Sequence, residues 1–339
     1  MIEIEKNISL LPYNTFGMAR NASAMSLITH EDQLAELPGH EEYQQGILVL
    51  GGGSNFLFTT DVREWVIRNN IKGKRIIDED KDFVWVEAGG GEVWHNFVLY
   101  TVQSGFGGLE NLSLIPGKVG AAPVQNIGAY GAEIKDTLFR VKAWDLQQKC
   151  FRIFSNIDCR LGYRDSIFKN QYKGRFMITS VIFQLRKKPV FNIEYGGIRK
   201  ELEVMGLKEL SLKAVSDAVT RIRRSKLPDP AVVGNAGSFF KNPVISSDRF
   251  GRLESRFPEI PFYETGAGQY KIPAAWLIEQ CGWKGFRDGN IGVHPRQALV
   301  LVNYGGGNGK SIYDLSQKII LSVSEKFGIL LEREVQVYG

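Results

Sequence analysis

Apolar and polar positions follow two rhythms along this chain, and the rhythms change places many times. Leu212, Val215, Val219 and Ile222 recur at spacings of 3, 4 and 3, which predicts an amphipathic helix. Ile312, Leu315, Ile319 and Val323 predict another, and residues 274–281 a shorter one. Strand-like runs fall at 24–29, 65–67, 139–145, 151–154, 177–185, 298–303 and 329–338. Residues 75–78 and 83–88 flank the charged Glu79-Asp80-Lys81-Asp82, the pattern of a hairpin. Residues 31–37 predict a short helix closed by Pro38-Gly39, and 92–104 a longer one leaving Gly89-Gly90-Gly91. Helices and strands intermix over the whole length, so the class is mixed α and β. Lys226-Leu227-Pro228-Asp229-Pro230 breaks the 212–222 pattern and marks a domain boundary.

Two segments interrupt these rhythms. The apolar run Ile47-Leu48-Val49-Leu50 stops at Gly51-Gly52-Gly53-Ser54-Asn55, and Phe56-Leu57-Phe58 resumes it. Glycines bend through positive φ and expose successive N–H groups, which makes an anion nest; a plain permissive turn fits the segment equally well. The helix and third glycine of a Rossmann fingerprint are missing, and so is the lysine of a P-loop. The second segment, 115–133, is built mostly from glycine and alanine, with Gln125 and Asn126 as amide donors. Small residues let a backbone come close to a flat partner, here a ligand or a packed sheet; the length of the run and its two amides favour a ligand.

Composition narrows the function classes. The 339 residues favour two or three domains. A formal charge of +5, with 42 basic against 37 acidic residues, is too dispersed for a nucleic-acid surface and suits an anionic small molecule. Cys150, Cys159 and Cys281 show no zinc or disulfide spacing. The four histidines make no metal motif, and His95 falls in a helical pattern where a surface or supporting position is the default. No signal peptide opens the chain and no apolar run approaches the ~20 residues of a membrane span, so a cytoplasmic soluble protein is expected.

Six segments recur in the order shared by one family: Leu50-Gly51-Gly52-Gly53-Ser54-Asn55, Ile115-Pro116-Gly117, Gln125-Asn126-Ile127-Gly128-Ala129-Tyr130-Gly131, Gly162-Tyr163-Arg164-Asp165-Ser166, Gly234 through Pro243, and Leu331-Glu332-Arg333-Glu334-Val335. The chain resembles the UDP-N-acetylenolpyruvoylglucosamine reductases, the FAD- and NADPH-dependent enzymes of bacterial peptidoglycan precursor synthesis. The resemblance implies an α+β architecture: an FAD-binding fold of the vanillyl-alcohol-oxidase type made of two α+β subdomains, plus a third α+β domain for the substrate. Residues 1–72 with the strand 330–339 would form the first subdomain, 73–226 the second and 227–329 the substrate domain. Non-covalent FAD would sit against the glycine loop, Ile115, Pro116, Gly117, Gln125, Asn126, Gly128, Ala129 and Tyr130.

The reaction implied passes hydride from NADPH through FAD to the enolpyruvyl ether carbon, leaving a charged, enolate-like intermediate that needs a proton and a cationic or hydrogen-bonding partner. The family pattern assigns the proton to Ser238 and the carboxylate end to Arg164 and Glu334. Tyr195 matches a tyrosine loop that covers the substrate in one subgroup, although Gly196-Gly197 departs from the usual single glycine. Lys226, Asn242, Tyr263, Lys284 and Gln297 fall where the family contacts the UDP-sugar. No metal, nucleic acid or membrane partner is expected, and the working species is a monomer. Two other functions remain open on sequence grounds. An oxidase on the same scaffold would return electrons to oxygen, and a non-turning binding module would hold Ser238 and Glu334 far apart.

Overall fold

The computed structural model describes residues 1–207 and 209–339. They divide into two compact units. The first comprises Met1–Ile8, Ala22–Gly53 and Val62–Ser225; the second comprises Ser9–Asn21, Ser54–Asp61 and Lys226–Gly339.

The first unit is built on two sheets. In one, Glu5–Ser9, Asn21–Ile28, Val62–Asn69 and Ile47–Leu50 lie side by side in that order. Val62–Asn69 runs parallel to both of its neighbours Asn21–Ile28 and Ile47–Leu50. A parallel strand in mid-sheet is covered on both faces, which explains the continuous buried run Trp65, Val66 and Ile67. The other sheet is antiparallel, in the order Cys150–Ser155, Leu138–Asp145, Phe176–Arg186, Phe83–Gly89 and Lys74–Glu79. Val84, Val86 and Ala88 alternate inward with Phe83, Trp85 and Glu87 outward, and the inward set meets Trp94, Phe97 and Val98 of the helix Trp94–Gln103. Phe183 packs between the rings of Trp94 and Phe97, at centroid distances of 5.8 and 5.2 Å. Helix Leu212–Lys226 buries Val215, Ala218, Val219 and Ile222 against Ile198, with Tyr130 packed beside them.

In the second unit the helix Gly309–Phe327 is capped at its start by Asn308 Oδ1, which accepts the Lys310 N–H, and at its end by Gly328 at φ 67°. Its apolar stripe of Ile312, Leu315, Ile319 and Val323 is buried as the spacing predicts. The unit also holds three small sheets: Arg287–Asp288, Ile291–Val293 and Leu301–Asn303; Val244–Ser246, Gln269–Lys271 and Tyr263–Gly266; and Gln336–Tyr338 parallel to Phe56–Phe58.

Three expected elements are shorter. Of the strand expected at 329–338 only Gln336–Tyr338 forms, because the residues before it bond singly to 239–241 instead of entering a continuous ladder. At 298–303 only Leu301–Asn303 is strand; before it the Val300 N–H folds back to the Gln297 carbonyl as a turn. The 31–37 helix is a pair of 3-10 turns, Glu31–Ala35 and Leu37–Gly39, since Pro38 cannot donate to a continuing helix. The helices Ile198–Met205 and Ser247–Arg256 escape periodicity because each buries only one or two side chains.

The triple Gly89-Gly90-Gly91 is a packing device. A Cβ on Gly90 would stand 2.2 Å from the Ile178 carbonyl oxygen and 2.7 Å from Asn69 Nδ2, and those on Gly89 and Gly91 would each meet backbone at 2.4 Å. Gly90→Ala should therefore lower the urea midpoint by the equivalent of about 1–3 kcal/mol, as overpacking does. Gly39→Ala, with nothing within 4 Å of the added carbon, should stay within about 0.5 kcal/mol of the parent.

Candidate active site

The glycine loop and the small-residue run meet in the first unit. A Cβ on Gly52 would lie 3.2 Å from the Cα of Gly117, so backbone faces backbone there. Gly53 takes φ 60° and Gly117 φ 122°, conformations that L side chains rarely adopt. The run is pinned from below: the Trp94 N–H donates to the Gly117 carbonyl at 3.1 Å, Val119 to Glu92 at 2.9 Å and Gly120 to Gly90 at 2.9 Å. Gly120, Ala122 and Pro123 are buried in this packing, whereas Ile115, Pro116 and Gly117 keep exposure. The run therefore serves both alternatives raised by its composition: one side packs on the sheet and the other is left as a surface.

Leu114, which introduces Ile115, takes φ 58° and is held through both its N–H and its carbonyl. Its N–H donates to His95 Nδ1 at 2.9 Å, and its carbonyl accepts from Arg223 Nε at 3.2 Å. Burial, with Arg224 and Arg223 nearby, holds the His95 imidazole below its usual range, which suits a ring nitrogen acting as acceptor. Burial also pushes the Arg223 guanidinium down; Tyr130 opposes this and Arg164 adds to it. Neither His95 nor Arg223 was singled out as a site residue. Their partners lie 19 and 109 positions away, and no local spacing announces that.

Asn126 is fully buried and left-handed, at φ 44°. Its Nδ2 donates to Glu133 Oε2 at 3.0 Å and to the Gly162 carbonyl at 2.9 Å, while its Oδ1 accepts the Lys135 N–H at 3.0 Å. The side chain expected to face a ligand is thus committed to protein, and what it can offer a ligand is the backbone it fixes. Gly162 and Asp165 bond each other reciprocally, at 3.0 and 3.2 Å, closing a tight turn with Tyr163 and Arg164 at its tip. Arg164 takes φ 53° and donates from Nη2 to the Gly128 carbonyl at 2.6 Å. Ser166 Oγ donates to the Val124 carbonyl at 2.6 Å. Two motifs far apart in sequence are therefore stitched together at Val124, Asn126 and Gly128. A Cβ on Gly128 would reach 2.7 Å from Glu133 Cγ and 3.1 Å from Arg164 Nη1, so glycine is needed there.

Ala129 and Tyr130 continue the half-buried run, with Tyr130 at φ 51° and its hydroxyl pushed up by burial. Gln125 ends the 3-10 turn Val119–Gln125 on the same half-buried stretch. The Tyr195 loop lies on this stretch: Gly196, at φ 71°, leaves no room for a Cβ, which would stand 2.4 Å from the Tyr130 ring. Gly197 follows at φ 84° and starts the helix Ile198–Met205. The double glycine that departs from the family pattern supplies two consecutive left-handed residues.

In the second unit, the segment carrying Ser238 is clamped on both sides. Phe239 donates to the Leu299 carbonyl at 2.8 Å and accepts the Glu334 N–H at 2.8 Å. Lys241 donates to Glu332 at 2.9 Å, and Phe240 bridges Arg333. Ser238 and Glu334 thus lie on adjoining segments, against the separation a binding module would show. Arg333 turns to the long helix, bonding Ser316 Oγ at 2.8 Å and Gln317 Oε1 at 2.9 Å. Gly237, at φ 70°, donates to Asn235 Oδ1 at 2.9 Å, which shapes the approach to Ser238. Asn55, read as an anion donor, gives Nδ2 to the Glu334 carbonyl at 3.2 Å and its own carbonyl to Gln336 at 2.9 Å. Ser54 precedes it, half-buried.

The remaining substrate candidates are less gathered. Gln297 lies in the turn before Leu299, its Oε1 accepting the Leu299 N–H at 3.4 Å, and so sits near the Ser238 clamp. Asn242 caps the helix Ala274–Gln280 by accepting the Ala274 N–H at 2.9 Å. Tyr263 is an exposed residue of its small sheet, Lys284 pairs with Glu279 at 2.8 Å, and Lys226 ends its helix. Among the described residues no His, Cys, Asp and Glu group could hold a metal, and no helix is long and apolar enough to cross a membrane. Cys159 is buried, with its thiol pushed up to about 12 by that burial and by Asp158, so it is inert.

Comparison with known proteins shows the family. The FAD binding domain profile matches residues 24–152, and the UDP-N-acetylenolpyruvoylglucosamine reductase C-terminal domain profile matches 229–338. The UDP-N-acetylenolpyruvoylglucosamine reductase of Flavobacterium johnsoniae is 50% identical over 337 residues, 99% of this chain and 100% of that one. That of Chromobacterium violaceum is 48% identical over 335 residues, 98% of each. The crystal structure of UDP-N-acetylenolpyruvylglucosamine reductase from Thermus caldophilus aligns over 100% of both chains with a TM-score of 0.67 at 23% identity, which shows the shared fold.

The Asn126 amide can be tested apart from its backbone. Asn126→Gly keeps the left-handed conformation accessible and removes three hydrogen bonds, so it should cost about 1–3 kcal/mol in urea unfolding. Asn126→Asp keeps the acceptor for Lys135 but sets a carboxylate against Glu133 and the Gly162 carbonyl, and should cost more than the glycine variant.

Proposed function

The chain belongs to the UDP-N-acetylenolpyruvoylglucosamine reductase family, and from that premise we propose how its own side chains divide the reaction. It is an FAD-dependent reductase of peptidoglycan precursor synthesis, with the vanillyl-alcohol-oxidase type of FAD-binding fold. Bound FAD supplies the two-electron chemistry that carries hydride from NADPH to the enolpyruvyl group of a UDP-sugar.

The residues of the first unit fit that cofactor: the near-contact of Gly52 and Gly117 is a cradle that any Cβ would narrow. Gly51, Gly52 and Gly53 offer backbone to the diphosphate, and the surface from Ile115 to Gly117 and from Gln125 to Tyr130 offers a wall to the ring system. Arg164 holds the substrate carboxylate, since a guanidinium whose plane is set by Gly128 is already oriented for a two-oxygen partner. Ser238 delivers the proton to carbon, a role open to so weak an acid only because the intermediate is strongly basic. Glu334 shares a hydrogen bond at the carboxyl end. The observation that carries this division is the pairing of the Ser238 and Glu334 segments through the 2.8 Å bond from Glu334 to Phe239.

Tyr195 closes over the substrate as in the tyrosine-loop subgroup, and Lys226, Asn242, Tyr263, Lys284 and Gln297 contact the UDP-sugar, Asn242 while also capping a helix. The three-part division at 1–72 with 330–339, 73–226 and 227–329 goes with this reading; pairing of Gln336–Tyr338 with Phe56–Phe58 supports counting the last strand with the N-terminal segment. The reading includes a cytoplasmic location and a monomer, the second of which sedimentation of the purified protein checks.

Anaerobic half-reactions test the roles. The purified protein should be yellow, bleach with NADPH, and regain colour with UDP-N-acetylglucosamine enolpyruvate. In Ser238→Ala the bleaching should survive while substrate-driven recovery slows by about 10²–10⁴-fold. Equal loss of both steps would make Ser238 a structural residue, and a protein that takes up no FAD would sink the assignment of a flavoenzyme.

A further inference from the structure

Three cations converge beside the glycine loop, and none of them belongs to the family motifs. Arg68 stands opposite Leu50 in the parallel register, next to the residue from which the loop departs. Lys72 follows in the connection after that strand, its Nζ donating to the Gly91 carbonyl at 2.5 Å. Lys118 comes from the other side, at the start of the 3-10 turn Val119–Gln125. Its Cβ and Cγ lie 3.6 Å from where a Cβ on Gly51 would be.

The acid facing Lys118 is Glu92, and Glu92 is already shared. It accepts the Gly73 N–H at 3.0 Å and lies 3.7 Å from Lys74 Nζ. Burial, then Lys72 and Arg68, pushes the Lys118 amine down to about 8, against the partial pull of Glu92. Like charges from two chain segments, 68–72 and the one carrying Lys118, repel one another, and half-burying one of them raises the cost. An anion lowers that cost, and the loop they flank ends in left-handed Gly53, the conformation from which backbone nests are built.

We propose that Arg68, Lys72 and Lys118 form an anion site at the glycine loop that takes the diphosphate of the dinucleotide cofactor. This rests on the FAD-binding function given above and adds to it a cationic side-chain component and a proton. Below pH 8 Lys118 is charged with or without the cofactor, so affinity is full. Above pH 8 it is neutral in the cofactor-free protein, while a bound diphosphate holds it protonated. Binding then takes up a proton, and affinity falls by about tenfold per pH unit until the pKa of the complex is reached.

The test titrates the cofactor-stripped, full-length protein with FAD, and separately with riboflavin as the phosphate-free probe, following flavin fluorescence from pH 7 to pH 9. FAD affinity should drop about tenfold over that range, with proton uptake visible by calorimetry in two buffers, while riboflavin affinity stays level. Lys118→Met should bind FAD more weakly at pH 7 with a flat pH profile; Lys118→Arg should restore the affinity and keep the profile flat. Thermal melts of both variants check that they fold. Parental FAD affinity and pH slope in Lys118→Met overturn the anion site and leave the flavoenzyme assignment standing. A riboflavin affinity that falls with pH as FAD does overturns the diphosphate as the ligand. Failure of the parent protein to bind FAD at any pH overturns the underlying function instead.

Discussion

Three hydrogen bonds from the buried amide of Asn126 fix the part of the first unit on which its candidate chemistry depends. One of them grips the Gly162 carbonyl and so anchors the turn that presents Arg164. The turn returns the support, through Arg164 to Gly128 and Ser166 to Val124. Asparagine suits this position twice over: it tolerates the left-handed backbone better than most residues, and its amide supplies two donors and an acceptor at a fully buried position. Arg164 has a long, rotamer-rich stem, yet its guanidinium is placed by a bond to the carbonyl of Gly128, two residues from Asn126. Such an arrangement would lose little further entropy on binding a carboxylate, which is the physical content of preorganisation.

The glycines of this chain do two different things. At Gly90, Gly120 and Gly128 the missing side chain admits another group into van der Waals contact, and the effect is rigidity. At Gly53, Gly196 and Gly197 positive φ turns the chain. Gly52 opposite Gly117 has the closeness of the first class, but at a surface that keeps exposure, which is what a flat cofactor needs of a backbone. Leu114 achieves a similar turn without being glycine, at a strain of about 1–2 kcal/mol that the bonds from His95 and Arg223 offset.

Much of this was legible in the sequence, and what was not shares one cause. The helix stripes at 212–222 and 312–323 announce themselves because their periodicity is local. The glycine loop and the ordered motifs name the family because their spacing is local too. Nothing local distinguishes Gly89-Gly90-Gly91, which packs, from Gly51-Gly52-Gly53, which faces Gly117; only the strand containing Ile178 and the run containing Gly120 make the difference. The side chains of Asn55 and Asn126 read as donors waiting for a ligand, and each was found bonded to protein that lies 279 or up to 36 positions away. His95 and Arg223 stayed hidden for the same reason. Residue type states what a group can bond to; topology decides what it meets.

Charge shows the same gap between average and arrangement. A surplus of five positive charges over 339 residues predicts little, because the field of a protein depends on where charges gather. In the first unit they gather twice: Lys118 with Lys72 and Arg68, and Arg223 with Arg164. In each group burial and a like charge both act against the charged form, so each is destabilising in the protein alone. One such group stands beside the glycine loop and one beside the Arg164 turn, and a bound anion would relieve the repulsion in each: a diphosphate at the first and a carboxylate at the second.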